Sequence, residues 1–286
     1  MNRDHACVLP LTALEGLLGL QEPEAQTRIA AVCLRHPLLC ARCFGREVMT
    51  RKDGRCGCRQ CGCGFDLLDG RWLSAPRIPA RSWLVLVKCF ELGLSVREAA
   101  GLADVPKSTA YLAGKNLRLS LAAEDPQWAP IASGMCGGDS PAPPSLFGVL
   151  QQEADVRIVP ILEQGLRERI RLNPADIVRG NGFACTGRHG GFDALIFNSQ
   201  DRAQCRPVQG RGGFPKDGFL AFFLNWTLKF RGISAEEFPL YLKECAVRFN
   251  AHGQPLFDRF LACLAARRPL TPRGTAGRPS LSLTVS

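Results

Sequence analysis

The sequence predicts a protein of mixed helix and sheet, α+β in class and built in several units. Three observations carry that reading. Six of the 14 cysteines crowd into residues 40–65, "CARCFGREVMTRKDGRCGCRQCGCGF". Next come three helical stretches separated by short breaks. Beyond a Pro- and Gly-rich boundary, runs of strand character give way to runs of helical period.

Composition sets the outer bounds. A chain of 286 residues, 46% of them hydrophobic, can bury a sizeable core and form two or three units. No uninterrupted apolar run reaches the ~18 residues that span a bilayer, which argues against a membrane partner. The opening "MNRDHACVLPLTALEGLLGL" is broken by Asp4, Pro10 and Glu15. It reads as an amphipathic helix in an N-terminal segment over 1–29 of a cytoplasmic protein. In that compartment thiols stay reduced, and clustered cysteines are more often metal ligands than disulfides. The formal charge of +10 is compatible with nucleic acid without establishing it.

Cys40 and Cys43 form one C-x-x-C pair, and Cys58 and Cys61 form a second after 14 intervening residues. Two such knuckles bring four thiolates to the corners of a tetrahedron, the ligand set of structural zinc. Gly54, Gly57, Gly62 and Gly64 supply turns, and Arg42, Arg55 and Arg59 offset thiolate charge. A zinc ribbon over 30–68 is therefore expected. "CGCRQCGC" leaves open whether Cys56 or Cys63 replaces one of the four.

Pro76 and Pro79 mark an extended link to residues 80–121. There Trp83, Leu84, Val87, Cys89, Phe90 and Leu94 suit a buried helix. Ser95 and Glu98 have the spacing of a capping box for a second helix, ending near Ala103. "ADVP" then breaks the chain before a third helix over 107–121. This is helix-turn-helix spacing. Its last helix offers Lys107, Ser108, Thr109 and Tyr111 near its start, then Lys115 and Arg118, as contacts to the bases and phosphates of duplex DNA.

Residues 124–144 form the Pro/Gly boundary. "SLFGVLQQEADVRIVPIL" predicts two strands around a turn at 151–155, "EQGLRERIRL" a helix, and "ADIVRGNGFACTGRHGGFDALIF" one or two further strands. From Asp217 the pattern turns helical. "GFLAFFLNWTLKF" is apolar on most faces, and Phe238, Leu242, Cys245 and Phe249 share nearly one face. Ser234 and Glu237 repeat the capping-box spacing, with Pro239 able to shift the helix start. The tail 269–286 has the composition of a disordered segment.

At this point the residues carry a resemblance. "KFRGISAEEFPLYLKECAVRFN" (229–250) and "LFGVL" (146–150), preceded by the ribbon and helix-turn-helix in that order, resemble the zinc-ribbon DDE transposases of bacterial insertion sequences. The likeness covers about residues 30–265. It implies a ribonuclease H-like α/β domain over 135–265 with a helical C-terminus, binding to the double-stranded DNA of insertion-sequence ends, and scope for a homo-oligomer. It also implies strand cleavage and joining by phosphoryl transfer, through Mg²⁺ ions held by three carboxylates.

The resemblance assigns the first catalytic carboxylate to Asp139 in "CGGDS" and the third to Asp217 in "FPKDGF". The setting of each departs from the family. Gly137 and Gly138 precede the first, and Ser140 stands where an acidic residue is common. The third is Asp rather than Glu, with Gly212 and Phe214 at the usual Asn and His. The second position falls on Asn181 or, in the ungapped match, Gly187, neither of them a carboxylate; Asp193 is nearby but offset. His5, His36, His189 and His252 are scattered, and no phosphate-binding loop is present.

Overall fold

The computed structural model describes residues 14–51, 55–137, 144, 146–161, 177–180, 183–186, 192–198, 218–230 and 233–269. The expected helix "EQGLRERIRL" and the tail beyond 269 lie outside them. Within them the chain is mixed helix and sheet, with two antiparallel sheets.

The cysteine-rich stretch forms the smaller sheet, from β1 (Val48–Thr50), β2 (Cys56–Cys58) and β3 (Gly64–Phe65) in that order. Opposite Cα partners are Val48 and Cys58, then Cys56 and Phe65. Its small core of Cys40, Cys56, Cys58 and Phe65 is distinct from the main one.

Around the main core, after a helical stretch over 14–18, run eight further α-helices of the described residues. Helix α1 (Glu22–Cys33) buries Ala25, Ile29 and Cys33, four residues apart on one stripe. It also supplies a cap in trans. The Glu22 carboxylate accepts the N–H groups of Ala80 (2.8 Å) and Arg81 (3.0 Å) at the start of α2 (Ala80–Leu92), whose own N-cap, Pro79, offers none. Gly93, at φ 69°, ends α2 in the left-handed region. Helix α3 (Val96–Ala103) opens with the capping box of Ser95 and Glu98, both bonds formed. Asp104 closes it at φ 53°, and Pro106 leads into α4 (Lys107–Ala123). A short helix, α5 (Ala129–Met135), follows.

The larger sheet comprises β4 (Leu146–Gln152), β5 (Asp155–Pro160), β6 (Ile177–Gly180), β7 (Phe183–Thr186) and β8 (Ala194–Asn198), in the order β5-β4-β8-β7-β6. The sequence predicts one or two strands after β5; three form. Every pairing is antiparallel. Among the described residues these hairpin pairings are of the α+β kind, whereas an α/β sheet is built on parallel strands with helical crossovers. Gly148 in β4 is required by contact. A Cβ there would lie 2.3 Å from the ring of Phe192.

Three helices complete the molecule: α6 (Gly218–Thr227), α7 (Phe238–Asn250) and α8 (Phe257–Ala265). They do not form a separate layer. Buried residues from Leu14 to Ala265 belong to a single cluster, in which α7 and α8 pack against α4. Trp128 stacks on Phe147 of β4 (5.7 Å), which meets Phe238 of α7 (6.0 Å). The Trp128 indole donates to the Ile158 carbonyl of β5 at 3.1 Å. The Asn250 amide binds β5 on its open side, accepting from the Val156 N–H and donating to the Val156 carbonyl, both at 2.8 Å.

Candidate metal centre and candidate nucleic-acid interface

Both cysteine knuckles fold by the same local rule. The Cys40 N–H donates to the Gly45 carbonyl (2.9 Å) and the Phe44 N–H to the Cys40 carbonyl (3.2 Å). In the second knuckle the Cys58 N–H donates to Cys63 and the Gly62 N–H to Cys58, each at 3.0 Å. Each knuckle needs one left-handed residue at the same place. The second uses Gly62 (φ 71°); the first uses Phe44 (φ 60°), a costlier choice for an L side chain.

The two turns aim four sulfurs at one point. The Sγ atoms of Cys40, Cys43, Cys58 and Cys61 all lie within 4.8 Å of one another, close enough to hold a metal ion. Cys40 and Cys61 are 3.5 Å apart, and Cys43 and Cys58 are 3.6 Å apart. A tetrahedral zinc with bonds of ~2.3 Å places its sulfurs ~3.8 Å from each other. These separations fit that polyhedron and are far too long for disulfides, where sulfurs sit ~2.0 Å apart. The cluster settles the choice among cysteines. Cys56 is buried in β2 outside it, and the Cys63 thiol turns to the Gly64 carbonyl.

The thiols of the cluster are not equivalent. Cys40, against the upward pull of burial, is lowered to about 6 by the N–H groups of Cys43 and Arg42. Cys61, although aided by the Cys63 N–H, is pushed up to about 12 by burial and by the other three thiols. A bound divalent ion removes that conflict. The centre is tied to the core through Arg267, which donates to the Leu39 and Cys40 carbonyls and lies over the Phe44 ring.

Helix α4 is less free than the sequence suggests. Lys107 and Ser108 are exposed and Thr109 is half-buried. Tyr111 donates its hydroxyl to Glu237 at 2.5 Å, and Lys115 pairs with the same carboxylate at 3.0 Å. That explains why the expected capping box at Ser234 is only half formed. The Ser234 hydroxyl accepts the Glu237 N–H (3.2 Å), but the Glu237 side chain turns to α4 instead. Burial would raise the Glu237 carboxyl, yet Tyr111 and Lys115 bring it below its ordinary value.

Arg118 corrects the sequence reading outright, because it does not reach solvent. Its guanidinium binds Glu244 at 2.7 Å and lies over the Tyr241 ring at 3.9 Å. Glu244 is only 1% exposed and takes Arg248 on its other oxygen, also at 2.7 Å. Arg248 also donates to the carbonyls of Phe90 and Glu91, in the negative last turn of α2. Burial pushes the Glu244 carboxyl up, but the two guanidinium groups outweigh it and hold the group ionised, below its usual value.

This network accounts for the polar letters of "YLKECAVRFN". Lys243 pairs with Asp125 (2.5 Å), Glu244 and Arg248 bind α4 and α2, and Asn250 holds β5. Sequence reasoning matched the run but missed these roles, since each partner lies about 90 residues or more away. Nothing in the local pattern encodes that pairing.

The carboxylate positions Asp139 and Asp217, and Asn181 and Gly187 at the second position, lie outside the described residues. Asp193 is described. Its carboxylate accepts the Gln151 N–H at 2.6 Å, a strand-end contact. Among the described residues, no group of three carboxylates or histidines meets closely enough to hold an ion. Among them also, no helix is long and apolar enough to cross a membrane. No family model, curated protein or solved structure matches this chain.

Proposed function

We propose that the chain binds duplex DNA as a transposase-like protein of an insertion sequence, through a zinc ribbon and an adjacent helix-turn-helix, the α3–turn–α4 unit. The observation that carries this reading is the four-sulfur cluster on a basic surface. Arg42, Arg46, Arg51 and Arg59 of the cysteine unit are all exposed, and the exposed Lys107 and Ser108 open α4. Guanidinium forks suit phosphate oxygens, and a helix start bearing Lys and Ser suits a major groove. Zinc would serve as a structural ion that fixes the knuckles.

Strand cleavage would need three carboxylates around Mg²⁺, and the residues at the second position, Asn181 or Gly187, supply no negative charge. The reading we favour is a DNA-binding descendant with an incomplete cleavage site. The antiparallel sheet lends the ribonuclease H-like assignment no support of its own.

The test uses the full zinc-loaded chain and labelled duplexes, including the ends of its own element. Affinity should fall steeply as salt rises, because Arg and Lys displace phosphate counterions. Lys107→Ala should weaken binding to all sequences alike, and no cleavage should occur in Mg²⁺ or Mn²⁺. Undetectable binding at low salt rejects DNA as the partner. Efficient cleavage abolished by Asp139→Ala rejects the incomplete site.

A further inference from the structure

A cleft of about 880 Å³ opens between α2, the start of α3, α4, Phe230, Ile233 and the first turns of α7. Its volume falls within the ~300–1,000 Å³ of small-molecule sites. Most of its wall is apolar, and several of the polar groups there are already engaged. Arg118 is held by Glu244, and Tyr111 by Glu237.

One polar group stands apart. Trp83 lines the cleft and is only 1% exposed. Its indole N–H is buried and has no hydrogen-bond partner among the described residues. A buried donor without an acceptor is costly. Trp72 and Trp226 also lack partners, but neither lines this cleft.

A second observation concerns the volume itself. Gly114 lines the cleft from the interior of α4, where glycine weakens a helix. No close approach demands it: a Cβ would meet Arg118 Nη1 at 3.6 Å and Phe90 at 4.0 Å, both ordinary contacts. The missing side chain leaves the space open.

The geometry points to a binding site for a small aromatic molecule that carries a hydrogen-bond acceptor. Its flat apolar body would lie along the apolar wall, and its acceptor would meet the Trp83 N–H. The inference stands independently of DNA binding.

The probe for the test is 1-anilinonaphthalene-8-sulfonate, which joins an aromatic body to an acceptor. Titration of the full-length, metal-loaded protein should show one saturable site per chain. Saturation should move the indole ¹H resonance of Trp83 downfield, its peak being assigned by loss in Trp83→Phe. Gly114→Leu should fill the cleft, keep or raise the melting temperature through better helix propensity, and weaken the probe at least tenfold. Trp83→Phe should weaken it about tenfold. Three results overturn the proposal: no saturable binding up to ~1 mM probe, binding indifferent to a folded Gly114→Leu chain, or saturation without movement of the Trp83 resonance. Should Trp83→Phe fail to fold, Gly114→Leu and the Trp83 peak, then assigned by its contacts in the native spectrum, still decide the matter.

Discussion

The four-cysteine cluster and helix α4 solve opposite problems. In the cluster, four like groups are gathered by two short turns, close enough to hold a metal ion. On α4, cationic groups spaced along one helix are met by carboxylates of this same chain, Glu237 and Glu244, more than 120 residues away. The first arrangement is local. The second is non-local and internally balanced, so residues that look like a ligand-facing surface are in part structural.

The largest expected effect falls on the cluster. Removing the metal with a chelator, or replacing Cys40 and Cys43 by Ser, should unfold β1–β3 and release the ion. Structural zinc contributes ~10–16 kcal/mol in small zinc-dependent folds. The main core should survive, because the cysteine unit's core is separate from it. Metal analysis and far-ultraviolet circular dichroism read the two parts.

Glu244→Gln should do most harm elsewhere, costing ~3–5 kcal/mol, because it leaves two buried guanidinium groups without a counter-charge. The matching pH dependence has a definite sign. Glu244 is held below its ordinary 4.5, so its stabilisation is complete above that pH and is lost as pH falls beneath it. Denaturant titrations at several pH values should show a larger loss in the parent than in the variant.

Glu237→Gln is milder. Its contacts are partly exposed, so stability should change by ~1 kcal/mol or less. Freed of their carboxylate, Tyr111 and Lys115 should become available, and DNA affinity should rise with a salt slope steeper by up to ~1. An unchanged slope would show that α4 does not meet phosphate there.

The finest comparison lies between the two knuckles. Gly62→Ala imposes on the second knuckle the left-handed cost that Phe44 already bears in the first, and should destabilise by ~1–2 kcal/mol. Phe44→Gly relieves that cost but loses the Arg267 contact, and should change stability by less. Thermal melts of the metal-loaded protein separate the two.

These contrasts also explain what was legible. C-x-x-C spacing exposes the cluster because a knuckle needs only neighbouring residues, and Ser95 with Glu98 exposes the start of α3 for the same reason. The hairpin of β4 and β5 was readable from two apolar runs around a polar turn. By contrast, the burial of Arg118 was hidden, since an Arg on a helix looks alike whether it faces water or a carboxylate from a distant segment. The choice of an antiparallel sheet was hidden too, because alternating short runs fix strands and not their direction. Ser234 and Glu237 had the right spacing for a full capping box, yet Tyr111 and Lys115 competed successfully for the carboxylate.

The Asn250 amide on β5 has a consequence for how the chain behaves in company. A terminal strand of a sheet presents N–H and carbonyl groups to which another chain can add a strand of its own, the first step of fibrous self-association. At Val156 both groups are occupied by one side chain whose oxygen and nitrogen imitate a neighbouring backbone. Exposed Asp155 and Arg157 flank the spot with charge, and the imidazole of His252 sits on Asp155 at 2.9 Å. The last residue of helix α7 thus acts as a stopper for the sheet. Its loss would be felt less in the melting of a dilute sample than in the concentration at which the protein begins to aggregate.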